Sequence, residues 1–324
     1  MTVRVGFVGC GSIGSVHVQA VQLCKSPGVI VGGTDPDQKQ RDAFIARANA
    51  PAFVDFCDML DRTQPDAVVI SSPPHVRYDV ISKCVEREIA ILCEKPLAKN
   101  IAIAKKIVEM AKYSKKVCAV GFCHRFNSAV GIMKEMLQNG DLGDPIEFIN
   151  FFAGFAPQLA DTWRTDISIS GGGALFDNGT HSVDLFRYFF GNIHTATGTT
   201  RNMWPGRGED SGFMMLTSNS GVVGQITTSW VYPYNASTIE IVGTKGAVRF
   251  SYDAIDELRI CNSSGSWKTT KINEDRRFVN QMEAFLQAVK GNPPEKLATF
   301  EDGLMAMEVI EQVCRNKIDA NKKN

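Results

Sequence analysis

Residues 3–14 read Val3-Arg4-Val5-Gly6-Phe7-Val8-Gly9-Cys10-Gly11-Ser12-Ile13-Gly14, and this stretch decides the fold. An apolar run of strand length leads into G-x-G-x-x-G, and a helical pattern follows over 13–24. The glycines serve separate purposes. Gly9 permits the tight turn, Gly11 lets backbone approach a pyrophosphate, and Gly14 lets helix pack closely on strand. The helix N-terminus, with Ser12 and Ile13, then offers N–H groups and partial positive charge to phosphates. Asp35 ends the next apolar run, 21 positions beyond Gly14, where an acid accepts hydrogen bonds from ribose hydroxyls. A carboxylate there repels a 2′-phosphate, and the next residues are Pro36 and Asp37 rather than Arg. The expected cofactor is therefore NAD rather than NADP.

The same pattern continues outward. Short apolar runs at 3–8, 29–33, 67–70, 90–93 and 117–120 alternate with amphipathic stretches such as 76–87 and 101–113. Buried runs alternating with helices imply a parallel sheet covered on both faces. Ligands of such sheets bind beyond the carboxyl ends of the strands. Two segments leave those ends. Ser71-Ser72-Pro73-Pro74-His75 follows 67–70, which makes Ser72, Pro73 and His75 candidates to line a cofactor cleft. His75 reads equally well as the start of a helix. Glu94-Lys95-Pro96 follows 90–93. Here Lys95 would face the cleft and stabilise developing alkoxide charge, although a lysine at a strand end also reads as a solvated surface residue.

With 324 residues the chain exceeds what one core usually supports, so two domains are expected. The pattern changes after Gly121, which sets the expected boundaries at 1–121 and 122–324. A helix over 127–138 stops at Asn139-Gly140, a strand follows over 146–153, and a long loop carries Trp163-Arg164. Between 195 and 270 the sequence reads as successive strands, including 222–231, 238–242, 247–252 and 257–261, in an open antiparallel pattern. Helices over 274–290 and 300–316 close the chain, and the tail 321–324 should fray. The expected class is α/β, with a second α+β domain on a large, mostly antiparallel sheet.

A second constellation lies in Gly171-Gly172-Gly173-Ala174-Leu175-Phe176-Asp177-Asn178-Gly179-Thr180-His181-Ser182-Val183-Asp184. Asp177 and His181 are one helical turn apart and share a face, and Asp184 extends the stripe. Leu175, Phe176, Val183 and Phe186 fall opposite and should face the core. Spacing alone allows a solvated polar face or an acid–base couple, in which the carboxylate orients and tunes the imidazole.

Composition narrows the function classes. Lys plus Arg and Asp plus Glu are both 35, so net charge gives no reason to expect nucleic acid or an anionic membrane. No apolar run approaches the ~18 residues of a membrane span, and the first residues enter a strand at once. Nine scattered cysteines without C-x-x-C spacing fit reduced, buried thiols and a cytoplasmic setting. The five histidines show no metal-ligand spacing, so no metal is expected.

Together these residues resemble the family of glucose–fructose oxidoreductase and myo-inositol dehydrogenase, over nearly the whole chain. The resemblance rests on the N-terminal G-x-G-x-x-G, the E-K-P at 94–96, Gly121-Phe122-Cys123-His124-Arg125-Phe126, and the motif at 171–184. It implies a Rossmann domain followed by a domain with an open sheet that packs against another subunit, giving a homo-oligomer, dimer or tetramer. It also implies that the C-terminal helix returns to the first domain. Lys95, Asp177 and His181 would act together on a carbinol carbon of a sugar or cyclitol, with Arg125, Trp163, Arg164 and Tyr234 as further contacts to the substrate or the cleft. Two alternatives stay open: glycoside cleavage by transient oxidation with retained NAD, and a non-catalytic cofactor sensor of the same fold.

Overall fold

A computed structural model describes residues 2–204 and 207–315 of the chain. The tail 321–324 and the last position of the expected helix 300–316 lie outside the described residues. The chain divides into two compact units, Met1–Phe126 with Arg276–Leu304, and Asn127–Asp275 with the residues from Met305 onward.

The first unit alternates strand and helix: β1 (Val3–Val8), α1 (Ser12–Leu23), β2 (Gly28–Thr34), α2 (Gln38–Ala48), β3 (Ala52–Phe53), α3 (Phe56–Thr63), β4 (Ala67–Ile70), α4 (Arg77–Glu86), β5 (Ala90–Cys93), α5 (Ile101–Ala111) and β6 (Cys118–Val120). The strand order is β3-β2-β1-β4-β5-β6, and every pair is parallel. This is the doubly wound order in which the connection reverses between β1 and β4, opening a crevice at their carboxyl ends. β4 and β5 are buried throughout, which is why they read as unbroken apolar runs. β3 is two residues long, too short to leave such a run.

Helix starts follow side-chain capping. Asp37 accepts from the Lys39 N–H, Asp55 from Asp58, and Asn100 from Ile103, opening α2, α3 and α5. Each such cap is worth about 1 kcal/mol. In the core Phe7 packs on Phe44 with ring centroids 5.8 Å apart, both fully buried. Burial of each ring contributes roughly 1.5–3 kcal/mol.

The second unit holds α6 (Ser128–Asn139), β7 (Pro145–Phe155), α7 (Ile167–Ser170) and α8 (Ala174–Phe190). Its remaining strands are β8 (Ile193–Arg201), β9 (Ser211–Ser218), β10 (Val223–Ser229), β11 (Val231–Gly243), β12 (Gly246–Ser251), β13 (Glu257–Cys261) and β14 (Trp267–Lys271). They form one sheet in the order β14-β13-β12-β11-β7-β10-β9-β8. One pair departs from the antiparallel expectation: β10 runs parallel to β7. α8 covers one face. Phe186 on α8 lies against Phe148 of β7 at 5.7 Å, and a Cβ at Gly224 of β10 would stand 2.8 Å from the same ring. The glycine makes room for the aromatic ridge. On the opposite face β7 presents Ile149 and Phe151, both half-buried.

Two more helices complete the description, α9 (Arg277–Val289) and α10 (Phe300–Arg315). α9 belongs to the first unit, where Met282, Phe285 and Leu286 join the core of Val18 and Val21 from α1. Glu283 accepts the Lys25 and Ser26 N–H groups at 2.9 Å each, pinning α9 to the turn after α1. Residues 300–304 of α10 count with the first unit and 305–315 with the second. Among the described residues no helix is long and apolar enough to cross a membrane.

Candidate active site

In the first unit the candidate cofactor residues gather at the carboxyl ends of β1, β2, β4 and β5. Gly9 adopts φ 96°, and a Cβ there would stand 2.6 Å from the Ser72 backbone nitrogen. The turn after β1 thus lies directly against the turn after β4. A Cβ at Gly14 would stand 2.3 Å from the Gly9 carbonyl oxygen, so that glycine is required by the fold itself. Gly11 differs: a Cβ there would meet nothing within 4 Å. Gly11 is also the N-cap of α1, with no side chain to cover the N–H groups of the first turn, which includes Ser12 and Ile13. An open space at a bare helix N-terminus fits a pyrophosphate.

Asp35 is half-buried one residue past β2. Its Oδ2 accepts the Cys10 N–H and its Oδ1 the Asp37 N–H, both at 2.9 Å. The carboxylate is thereby held over the glycine-rich turn, as ribose recognition requires. Arg41 donates to the carbonyls of Asp35 and Pro36 at 2.7 and 2.8 Å. The sequence reading, which looked only for an arginine directly after Asp35, missed it. Burial pushes the Cys10 thiol up to about 12, with the Asp35 charge adding and Arg41 opposing.

Ser72 is buried, Pro73 is half-buried, and His75 is exposed on the 3-10 turn Pro74–Val76. Glu94 is buried, its Oε1 2.8 Å from the Nε2 of His17 on α1. Burial raises this carboxyl, but the hydrogen bond and charge of His17, with Lys95 and Arg77, outweigh it and hold the group below its ordinary value. Lys95 is half-buried. Arg125 is buried, with Nη2 3.3 Å from Asp302 Oδ2. Burial, with the charges of Arg277 and Lys95, holds the neighbouring His124 imidazole well below its ordinary value, so it is neutral at pH about 7. Arg77 was absent from the sequence reading, His17 figured there only among histidines without metal-ligand spacing, and His124 only within the motif at 121–126; what they do at the E-K-P turn lies in tertiary contacts that local spacing does not carry.

In the second unit α8 starts at Gly173, where a Cβ would stand 1.8 Å from the Glu209 carbonyl oxygen. Glu209 supplies what the glycine cap lacks. Its carbonyl accepts the Ala174 N–H at 2.7 Å and its carboxylate the Phe176 N–H at 3.4 Å. The expected apolar face of Leu175, Phe176, Val183 and Phe186 is buried. The polar stripe is buried too: His181 is 8 % exposed and Asp184 1 %. The solvated-face reading therefore falls for these two residues. Asp177 is half-buried, its Oδ2 3.9 Å from the Arg164 Nε, and the Arg164 guanidinium stacks over Trp163 at 4.7 Å. Trp163 also lines a pocket of about 710 Å³ formed by segment 160–169 and Arg207. Tyr234 is exposed on β11, in the stretch where the pairing with β7 shifts register, with its ring 5.8 Å from Tyr232.

Sequence profiles of known families match both units. Residues 3–122 match the profile described as an oxidoreductase family with an NAD-binding Rossmann fold. Residues 131–249 match the GFO/IDH/MocA C-terminal domain. The chain is 28 % identical to inositol 2-dehydrogenase of Rubrobacter xylanophilus, over 76 % of this chain and 71 % of that protein. It is 25 % identical to myo-inositol 2-dehydrogenase of Thermotoga maritima, over 94 % and 93 %. Its fold is similar to that of levoglucosan dehydrogenase solved with NADH and levoglucosan, at TM-score 0.90 and 21 % identity, over 98 % of this chain and 97 % of that one. The doubly wound sheet, the bare glycine cradle beneath Asp35 and the paired profile matches agree: the chain belongs to the GFO/IDH/MocA oxidoreductase family, with the family's NAD-binding Rossmann domain at its N-terminus.

Proposed function

We propose that this oxidoreductase is NAD(H)-dependent and moves a hydride to or from a carbinol carbon of a sugar or cyclitol, with Lys95, Asp177 and His181 as one working set. The observation that carries the reading is the buried His181 of α8, one turn from the half-buried Asp177, in a chain with an NAD-binding domain. Relatives named inositol 2-dehydrogenase support the substrate class.

The nicotinamide, when bound, supplies the hydride acceptor. Gly9, Gly11 and Gly14 with the first turn of α1 hold the pyrophosphate, Asp35 the adenosine ribose, and Ser72, Pro73 and His75 line the same crevice. During oxidation the His181 imidazole takes the hydroxyl proton as the C–H bond gives up its electron pair and the carbonyl forms. Asp177 orients that ring and stabilises the imidazolium, which is worth the usual ~10²–10⁴-fold of general base catalysis. The Lys95 ammonium stabilises charge developing on the reacting oxygen. Arg125, Trp163, Arg164 and Tyr234 contact the substrate or shape the cleft. The uncovered face of the second-unit sheet joins copies of the chain into a dimer or tetramer. The buried thiols of Cys10, Cys84 and Cys93, pushed up to between about 11 and about 12 by burial, suit a reduced cytoplasmic setting.

A panel of inositols, aldoses and sugar nucleotides, scored for NAD⁺ reduction by NADH absorbance, tests the reading. At least one polyol should turn over, and Lys95→Ala or His181→Ala should each lower the rate by about 10²-fold or more. Turnover untouched by both substitutions would sink the mechanism.

A further inference from the structure

Lys95 stands on a short turn whose backbone is held from several sides. The Glu94 N–H donates to the Ile70 carbonyl at 2.8 Å. Arg77, itself buried, donates through Nη1 to the carbonyls of Glu94 and Pro96 and through Nε to that of Ser72 at 2.9 Å. The Glu94 carboxylate then bridges two elements. Its Oε1 meets His17 Nε2 at 2.8 Å, and its Oε2 accepts the Lys95 N–H at 3.3 Å. Gly121 leaves room for it, since a Cβ there would stand 3.0 Å from Oε1.

His17 lies on α1, one turn past Gly14, and is 1 % exposed. Its ring edges onto Phe278 of α9 at 5.6 Å, and its Nδ1 has no hydrogen-bond partner. The imidazole is thus fixed by packing on one side and directs a single polar atom, Nε2, at Glu94. A buried carboxylate costs several kcal/mol unless it is paired. His17 therefore fixes one oxygen of this carboxylate, whose other oxygen accepts the backbone N–H of Lys95.

We infer that His17 is a positioning residue for Lys95, acting through the Glu94 carboxylate to tie the lysine's backbone to the helix that forms the dinucleotide cradle. The inference rests on the role proposed for Lys95 only for its catalytic consequence; the placement itself is testable without turnover.

The test is competitive acetylation with trace acetic anhydride, reading the Lys95 to Lys115 labelling ratio by mass spectrometry. Lys115 is a fit reference because its side chain is 83 % exposed. NADH binding, followed by nicotinamide fluorescence, reports that each variant is folded. In His17→Leu the ratio should change by about threefold or more, the low end of coupling within one hydrogen-bond network. His17→Gln, which keeps an N–H donor in reach of Glu94, should restore it. Glu94→Gln combined with His17→Leu should add nothing further. A ratio unmoved in a His17→Leu protein that binds NADH overturns the inference, as does an equal change in His17→Gln. If His17→Leu does not fold, Glu94→Gln decides alone: a moved ratio supports the link and an unmoved one overturns it. Turnover that survives Lys95→Ala would remove the role proposed for Lys95 and leave this measurement standing.

Discussion

Asp35 and Cys10 meet across the end of the first sheet: the Asp35 Oδ2, just past β2, accepts the Cys10 N–H, in the turn after β1, at 2.9 Å. The acid proposed to hold the ribose and the turn proposed to receive the pyrophosphate are therefore one hydrogen-bonded unit. Hydrogen bonds to a charged group are worth about 1.5–3 kcal/mol. Asp35→Ala should weaken NADH by about tenfold or more in a fluorescence titration. Asp35→Ser should also narrow the preference for NADH over NADPH, because the Arg41 guanidinium, now on the Asp35 and Pro36 carbonyls, would then face a 2′-phosphate without a competing carboxylate. An unchanged NADH to NADPH ratio would remove Asp35 from cofactor choice.

The glycine-rich turn separates folding from binding within three positions. Gly14→Ala places a Cβ 2.3 Å from a backbone oxygen that cannot swing away, so the melting temperature should fall by several degrees. Gly11→Ala meets nothing within 4 Å. Its melting temperature should stay within about 3 °C of wild type, the shift for roughly 1 kcal/mol. Its NADH affinity should nevertheless drop by about tenfold or more, since the methyl would stand where the pyrophosphate is proposed to approach. Scanning calorimetry without cofactor, beside NADH titration, separates the two effects.

The buried His17–Glu94 pair should appear in the pH dependence of stability. The folded Glu94 carboxyl lies below its ordinary value. The pair therefore contributes stability above the ordinary carboxylate range, about 4.3, and loses it as pH falls through the lowered folded value. Glu94→Gln has no such group. The stability gap between wild type and Glu94→Gln should be widest near neutrality and shrink on acidification. A gap constant from pH about 7 to about 3.5 would mean that the carboxyl is not held low.

Much of the first unit was legible because its strands are buried on both faces and its turns obey glycine rules. Runs 67–70 and 90–93 coincide with β4 and β5, and in the second unit Asn139-Gly140 stops α6 with Gly140 at φ 73°. What spacing could not reach was tertiary. Arg77 and His17 act on the E-K-P turn from helices far away in sequence, and nothing in their local pattern announces it. The polar stripe of α8 was ambiguous because periodicity reports two faces of a helix and is silent on whether both are covered. Here Thr180, His181, Ser182 and Asp184 are all buried. The parallel pairing of β10 with β7 was equally hidden, since alternation fixes a strand's faces and not its direction.

Arg164 should matter for rate more than for stability. It lies 3.9 Å from Asp177, and both side chains are about a third exposed or less, so the pair adds at most about 1 kcal/mol to folding. Its stacking on Trp163 fixes the direction from which it approaches the carboxylate. Arg164→Ala should leave the melting temperature nearly unchanged and lower kcat on the substrate found in the polyol screen by about tenfold. Arg164→Lys should restore little, because an ammonium lacks the planar stacking surface. Wild-type kcat in both variants would place Arg164 outside the working set.

The uncovered face of the second-unit sheet should be where copies of the chain meet. β7 places Ile149 and Phe151 on it, and the register sets Gln225 and Thr227 of β10, then Met215 and Phe213 of β9, beside them. Met215 is 57 % exposed and Phe213, Ile149 and Phe151 are half-buried, so a monomer would leave these apolar side chains, on either side of Gln225 and Thr227, partly in water. On the other face Phe148 is fully buried under α8. Light scattering should give the wild-type mass as a dimer or tetramer. Ile149→Arg with Met215→Arg should shift it toward the monomer while NADH affinity stays near wild type, because the dinucleotide cradle is built wholly within the first unit. Phe148→Ala should instead cost about 3–5 kcal/mol of stability, the usual price of emptying a buried aromatic site. A wild-type chain that sediments as a monomer at all working concentrations would end the proposal of self-association.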